Sequence, residues 1–291
     1  MKKIIFYTLT ISIFVFSSCE KKKDAEPLPI IPTLKGFTTE GTSPSRTVKS
    51  TYLLVYANNK LNNLQRIDTI KEDGEPIRTG PVLNNFLTEE GSEGFKLVSD
   101  FAVGGSNGNY TISKVENIAQ KTLNGYDITT TYSSLQTVYY SQLEFNKDNQ
   151  VIKNTVTKIV TTDKNGVKRE TPQNIYNRYE YDSNGNTVKV FLKDIGSAPE
   201  VLSNEYTYDN KPNPYKDLKW LFRLFGFGGA GFESKNNVLT SKNYQQGVLL
   251  TETTGVYTYD AQTGYPLTLT VSGKSFSPNV GVGSSKTFYK Y

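Results

Sequence analysis

Short clusters of turn-forming residues interrupt this chain at close intervals, and their spacing constrains the fold more than any other feature. Between them lie runs rich in Thr, Val, Tyr and Ile, for example residues 50–56, 154–162, 186–192 and 265–271. β-Branched and aromatic residues suit a half-buried pleated surface, so these runs predict strands. The intervals leave no room for the helical crossovers that parallel strands need. We therefore predict an all-β fold, a long antiparallel meander of hairpins that is strongly twisted or closes partly into a barrel.

Asn-Gly pairs between the predicted strands indicate tight hairpins. Asn124-Gly125 and Asn184-Gly185 are two such pairs, and Gln246-Gly247 is a third turn signal. A type I′ turn needs positive φ at both central residues, a requirement that Asn and Gly meet most readily. We expect type I′ turns at the two Asn-Gly pairs.

A Tyr-x-Tyr-Asp phrase occurs three times, each time followed by turn residues. Because side chains alternate across a strand, both tyrosines of a phrase share one face. The Asp then begins the turn, where its carboxylate accepts hydrogen bonds from backbone amides two residues on. Uneven spacing predicts an irregular meander rather than a strict repeat. The tyrosine pairs are Tyr179 and Tyr181, Tyr206 and Tyr208, and Tyr257 and Tyr259.

These tyrosine pairs have two interpretations. In the one that we favour, the rings cover the boundary of the core and the hydroxyls reach water. In the other, the pairs of adjacent hairpins align into a ligand-facing stripe that stacks on sugar rings or holds an extended peptide.

The first 18 residues are typical of a secretory signal, with a basic start, an apolar run and small residues at the end. The apolar run is short for a membrane span, which needs about 20 residues. Cys19, the only Cys of the chain, follows directly. This arrangement resembles the lipobox of bacterial lipoproteins, in which the Cys carries lipid and begins the mature protein. We predict lipidation at Cys19; the alternative is an ordinary signal peptide with an incidental Cys.

The rest of the chain divides into a tether and one β domain. Residues 19–49 include the Pro-containing stretch DAEPLPIIP, which predicts a semi-rigid spacer. Residues 50–291 form the predicted antiparallel β domain. Since no second Cys exists, no internal disulfide can form.

Several chemistries are excluded by composition. The chain has no His, which rules out Ser-His-Asp and Cys-His nucleophile systems and imidazole-based zinc sites. Asp182-x-Asn184-x-Asn186 begins like a calcium loop, but the twelfth position is Lys193, so we interpret it as a turn. Scattered Lys residues argue against nucleic acid. We predict no cofactor, no metal and no catalytic residue; only a glycosidase-type carboxylate pair stays open.

Residues 216–232 break the β pattern. Leu218, Leu221, Phe222 and Phe225 fall on one helical face, and Trp220 lies off it. We predict a short helical or loop insertion that plugs the sheet, because soluble proteins rarely expose such apolar surface. The alternative is an exposed loop, including Trp220, that docks on a membrane or a partner protein.

Two further features extend the Tyr-x-Tyr-Asp pattern. The phrase resembles the YD repeat of Rhs-type shell proteins. Together with YDNKPNPYKDL at 208–218 and the later Asn236-Asn237 step, it resembles uncharacterised cell-envelope lipoproteins of Bacteroidota. That resemblance implies an antiparallel β fold and assigns no catalytic residue.

These observations predict a lipid-anchored cell-envelope protein of binding or assembly type at the outer membrane, with either side open. The expected partners are the membrane, through the N-terminal lipid, and a glycan or an envelope protein. The alternatives are a glycan-processing enzyme with a carboxylate pair and a purely structural envelope protein.

Overall fold

Seventeen β-strands account for most of the chain that the computed structural model describes, which is residues 32–43, 45–57, 60–90, 94–103, 111–194, 199–218, 234–277 and 283–291. In chain order the strands are β1 (Gly36–Ser43), β2 (Arg46–Ala57), β3 (Lys60–Glu72), β4 (Arg78–Thr79), β5 (Leu83–Glu90), β6 (Gly94–Val103), β7 (Thr111–Lys121), β8 (Gly125–Tyr132), β9 (Thr137–Phe145), β10 (Val151–Thr162), β11 (Lys168–Tyr181), β12 (Thr187–Lys193), β13 (Val201–Pro212), β14 (Asn236–Gln245), β15 (Val248–Tyr259), β16 (Pro266–Ser275) and β17 (Ser284–Lys290).

The strands close into a ring. Each strand other than β4 pairs antiparallel with its neighbours in the chain, β3 pairs with β5, and β17 pairs with β1. The result is a 16-stranded closed barrel, with β4 as an extra strand beside β3. The predicted all-β antiparallel meander is confirmed, but the prediction of partial closure is wrong. The strand that closes the ring, β1, lies within the predicted tether of residues 19–49, so the barrel begins before residue 50.

Strand direction alternates around the ring, so the connections fall at two ends. The chain enters at Pro32 and finishes at Tyr291, and we call this the lower end. The turns after β11, β13 and β15 also lie there, because these strands run in the same direction as β17. All three Tyr-x-Tyr-Asp phrases therefore reach the lower end of the barrel.

The turn between β11 and β12 differs from the predicted type I′ turn. Only Gly185 has positive φ, at +89°, and its amide donates to the Asp182 carbonyl oxygen at 3.1 Å. The Asp182 carboxylate accepts from the amides of Asn184 and Asn186 at 2.9 and 2.8 Å. This is a type I turn followed by a bulge at Gly185, and the Asp supplies the extra acceptor that the longer turn needs.

A hairpin does join β7 and β8 at Asn124-Gly125, as predicted, but its turn is not type I′, since neither residue has positive φ. Gly125 instead lies against β9, where an added Cβ would stand 1.6 Å from the Leu143 carbonyl oxygen. Gln246 and Gly247 have φ of +51° and +80°, as a type I′ turn requires.

Two hydrophobic clusters fill part of the interior. One lies at the lower end and comprises Leu34, Phe37, Leu54, Leu64, Leu97, Tyr215 and Leu218. The other comprises Phe95, Ala119, Ile128, Leu143 and Val151. Tyr215 and Leu218 belong to the segment after β13, so this segment plugs the lower end.

The insertion predicted near 216–232 begins as a 3₁₀ turn over Lys216–Leu218; its remainder, with Trp220, lies outside the described residues. Within those residues, no helix has the length and apolar character to cross a membrane.

The outer wall carries charges that alternate in sign from strand to strand. Along each strand, the residues on either side of an inward-facing residue point outward. The register places outward-facing charged residues of six consecutive strands opposite each other in one row. The row comprises Glu180, Lys189, Glu205, Lys242, Glu252 and Lys274. Opposite charges also pair elsewhere on the wall, as in Lys49–Glu40 at 2.9 Å and Lys158–Glu170 at 3.4 Å. Thr residues such as Thr207 and Thr240, whose hydroxyls are 2.6 Å apart, flank these charges.

Candidate functional site

A cavity of about 640 Å³ lies inside the barrel, between β1, β2 and strands β13 to β17. This volume falls within the roughly 300–1,000 Å³ of small-molecule sites. The register arranges its lining in rows across β13, β14 and β15. One row is Asn204, Asn243 and Thr251, and the next toward the lower end is Tyr206, Ser241 and Thr253.

The upper part of the cavity is polar and uncharged. Asn, Ser and Thr make up more than half of the lining, and no Asp, Glu, Lys or Arg is among the described lining residues. The side chains of Ser241, Asn243, Thr251 and Ser285 form no hydrogen bond with other described residues. Thr39 and Thr287 are different, because their hydroxyls bond to each other at 2.9 Å. The unpaired groups are available to a ligand.

The lower part of the cavity is aromatic. Phe37 stacks on Tyr52 with ring centroids 4.3 Å apart, and Tyr215 meets Phe37 edge-on at 5.2 Å. Tyr257 stacks on Tyr259 at 5.8 Å. These contacts fix the rings that form the floor, so the floor is preorganised rather than assembled by a ligand.

Two tyrosine hydroxyls face the cavity as hydrogen-bond donors. Burial raises the pKa of Tyr206 to about 12. Burial, followed by the nearby charge of Asp209, also raises the pKa of Tyr257 well above its usual value. Both hydroxyls therefore stay protonated at neutral pH. Neither has a hydrogen-bond partner within the described part of the chain.

In the structure, the two tyrosines of each Tyr-x-Tyr pair have different surroundings. Among the first members, Tyr206 and Tyr257 line the cavity, whereas Tyr179 packs against the second hydrophobic cluster. The second members are held by their hydroxyls. Tyr181 donates to the Val151 carbonyl oxygen at 2.7 Å, Tyr208 to the Thr187 carbonyl oxygen at 2.5 Å, and Tyr259 to the Asp209 carboxylate. The six tyrosines do not form one continuous stripe. The other predicted site residues, Cys19 and Trp220, lie outside the described residues.

Hydrogen bonds from the YDNKPNPYKDL block and the Asn-Asn step hold together the two ends of the connection between β13 and β14. Asn213 donates to the Ser234 carbonyl oxygen at 2.8 Å and accepts from the Tyr215 amide at 2.9 Å. The Asn237 amide donates to the Asp209 carboxylate at 3.0 Å. Asn213 and Asn237 also line the cavity, so these hydrogen bonds help to shape its floor.

Sequence reasoning missed most of the cavity. Asn243, Thr251 and Ser285 sit in strands with no motif, and only the register brings them together. Outside the cavity, the C-terminal Tyr289-Lys290-Tyr291 repeats the Tyr-x-Tyr pattern, and the Tyr291 hydroxyl donates to the Pro266 carbonyl oxygen at 3.0 Å.

The cavity is suited to binding by hydrogen bonds and ring contacts. Glycoside hydrolysis of the usual type needs two carboxyl groups beside the scissile bond, and the described lining has none. The described residues also contain no group of three or more His, Cys, Asp or Glu that could hold a metal ion.

Comparison with known proteins identifies a fold but no family. No protein-family model matches this chain, and no curated protein matches it. A porin-like protein from Bacteroides uniformis ATCC 8492, known from a crystal structure at 2.32 Å resolution, has a TM-score of 0.52 and 12% identity. The match covers 89% of this chain and 99% of that chain. At this identity the likeness shows the barrel fold alone and specifies no activity.

Proposed function

We propose that this protein is a lipid-anchored binding protein of the outer membrane, whose barrel stands in water beside the bilayer and holds a ligand inside. The observation that carries this proposal is the alternating row of charges on the outer wall. The same row of charges argues against a pore, the role that the likeness to a porin-like protein would suggest.

A lipid-facing barrel wall has an apolar band about 25 Å tall, and a Lys or Arg at its middle costs about 2–4 kcal/mol. Here Lys189, Lys242 and Lys274 lie in one row with three Glu residues across six strands. Burying that row in hydrocarbon would cost far more than its cross-strand attractions return, since each such pair contributes about 0.2–1 kcal/mol. The wall is therefore suited to water.

The interior also argues against conduction. The lower cluster joins Leu64 and Leu97 from one side of the ring with Tyr215 and Leu218 from the loop after β13. Leu97 is fully buried within this cluster. Apolar side chains thus occupy the lower end below the cavity, which favours a pocket over a channel.

Glycan processing is the less supported alternative. A carboxylate pair would have to border the substrate, and the described cavity lining offers only neutral groups. Binding needs nothing that this lining lacks.

Membrane fractionation tests the proposal. If lipid on Cys19 is the only attachment, Cys19→Ala should yield protein that is folded and monodisperse without detergent, or protein whose processing is blocked. Ser18→Ala is a matched control, because it keeps both the thiol and a small residue before it, and it should stay with the membrane. A correctly cleaved Cys19→Ala protein that still needs detergent would contradict the proposal, as would discrete conductance steps from the wild-type protein in planar bilayers.

A further inference from the structure

We infer that the cavity binds a short uncharged oligosaccharide, with sugar hydroxyls on its upper rows and a sugar ring face on its aromatic floor. This inference deepens the proposed binding function and rests on it. Three properties of the cavity lead to this ligand class: its neutrality, its unpaired polar groups and the separation of polar from aromatic surface.

The neutral lining disfavours charged ligands. An ion that leaves water for a buried site needs an opposite charge or a dense set of hydrogen bonds to replace its hydration. No Asp, Glu, Lys or Arg is present among the described residues of the lining. Anionic peptides, phosphorylated molecules and acidic glycans would all bind at a disadvantage.

The polar groups disfavour purely apolar ligands. Ser241, Asn243, Thr251 and Ser285 have no protein partner among the described residues. A fatty acyl chain would displace water from these groups and replace none of its hydrogen bonds, which is unfavourable. Sugar hydroxyls both donate and accept, as do the Asn amide and the Ser and Thr hydroxyls.

The aromatic floor suits the apolar faces of a sugar ring. A pyranose ring presents hydroxyls at its edge and C–H groups on its faces, so it needs polar and apolar surfaces side by side. Here the row of Asn243 and Thr251 lies next to the row of Tyr206 and Ser241, and Tyr257 lies on the floor beyond. The free hydroxyls of Tyr206 and Tyr257 add donors at that boundary.

The cavity also limits ligand size. A volume of about 640 Å³ is in the middle of the range for small-molecule sites, roughly 300–1,000 Å³. The apolar cluster at the lower end disfavours a long polar chain that would thread through the barrel. An oligosaccharide of a few sugars fits these limits.

Titration calorimetry on the purified full-length protein in detergent tests the inference. The probes are three neutral tetrasaccharides (maltotetraose, cellotetraose and tetra-N-acetylchitotetraose), the anionic tetragalacturonate, and a fluorescent fatty acid. We expect at least one neutral tetrasaccharide to bind more tightly than either of the other two classes.

Variants locate the site. Asn243→Leu keeps the approximate size of the side chain and removes its polar groups, so it should weaken binding of the neutral tetrasaccharide about tenfold. Thr251→Val should weaken it severalfold. Thr254→Val makes the same change on the same strand but faces outward, so it should leave affinity unchanged. Thermal unfolding of each variant establishes that it is folded.

The inference is overturned by preferred binding of tetragalacturonate or fatty acid, by no binding of any neutral tetrasaccharide, or by binding that Asn243→Leu and Thr251→Val leave intact. Preferred fatty-acid binding would leave the proposed binding function standing. Failure of that function itself is detected separately, by the fractionation of Cys19→Ala and by conductance.

Discussion

The Tyr208 hydroxyl, near the end of β13, donates a 2.5 Å hydrogen bond to the carbonyl oxygen of Thr187, the first residue of β12. The same relationship recurs around the lower end of the barrel. In each case a Tyr at the end of a strand bonds to the backbone at or just before the start of the preceding strand. The other pairs are Tyr56 with Leu34 at 2.7 Å, Tyr181 with Val151 at 2.7 Å, and Tyr291 with Pro266 at 3.0 Å. Within the repeated phrase, Tyr181 and Tyr208 make this bond, whereas Tyr259 donates to the Asp209 carboxylate instead.

We expect Tyr208→Phe to destabilise the barrel by about 1–3 kcal/mol. The change leaves the Thr187 carbonyl oxygen without this donor, and it also removes the acceptor of a 2.9 Å bond from the Ser234 hydroxyl. Tyr257→Phe is the matched control, since that hydroxyl has no partner among the described residues. It should fall within about 0.5 kcal/mol of wild type. Urea unfolding of both variants measures the difference, and equal losses would contradict this role of the hydroxyl.

Gly185→Ala should cost about 1–2 kcal/mol, the penalty of a left-handed conformation for a residue with a Cβ. Gly185 has φ of +89°, whereas Gly41 in β1 has ordinary φ and open space around its Cα. Gly41→Ala is therefore the control and should be nearly neutral. Gly166, with φ of +80° and open space, should respond like Gly185. Similar melting shifts for Gly185→Ala and Gly41→Ala would show that the turn tolerates a side chain.

Stability should fall in alkali because buried tyrosines resist ionisation. Burial raises the pKa of Tyr206 from about 10 in the unfolded chain to about 12. A raised folded-state pKa contributes stability that is fully present below about pH 10 and is lost as pH rises toward 12. Tyr206→Phe should reduce the slope of unfolding free energy against pH by up to about 1.4 kcal/mol per pH unit. Urea unfolding between about pH 9 and 11 tests this, and parallel slopes would mean that Tyr206 ionises freely in the folded barrel.

Features that depend only on residues close together in the chain could be predicted from the sequence. Alternation along a strand depends only on the backbone, so the shared face of Tyr206 and Tyr208 was predictable, as was the Asp182 carboxylate in its turn. The type I′ prediction at Asn184-Gly185 was wrong because an Asn-Gly pair is compatible with more than one turn geometry. The carboxylate of Asp182 favours the longer turn, in which only the Gly needs positive φ.

Features that depend on the pairing register between strands could not be predicted from the sequence. Closure needs β1, whose run GFTTEGTS has few β-branched apolar residues, and its partners β2 and β17 lie at opposite ends of the domain. The cavity needs Asn243 to stand opposite Thr251, and the charged row needs Lys242 to stand opposite Glu252. No spacing within one strand reveals such neighbours.

Reversing one charge in the outer row should weaken the barrel in a salt-dependent way. Lys242→Glu would place three like charges side by side, because Lys242 lies between Glu205 and Glu252. Like charges directly opposite on adjacent strands destabilise, here by about 1 kcal/mol. Salt near 1 M shortens the screening length to about 3 Å and should remove most of this loss.

Lys71→Glu is the control for this reversal. It makes the same change in net charge at an exposed position opposite Thr47, so it should unfold almost as wild type at low and high salt. Chemical unfolding at both ionic strengths provides the comparison. Screening by dissolved salt requires water at the wall. A loss for Lys242→Glu that salt leaves unchanged would therefore argue against the alternating row and against a barrel that stands outside the bilayer.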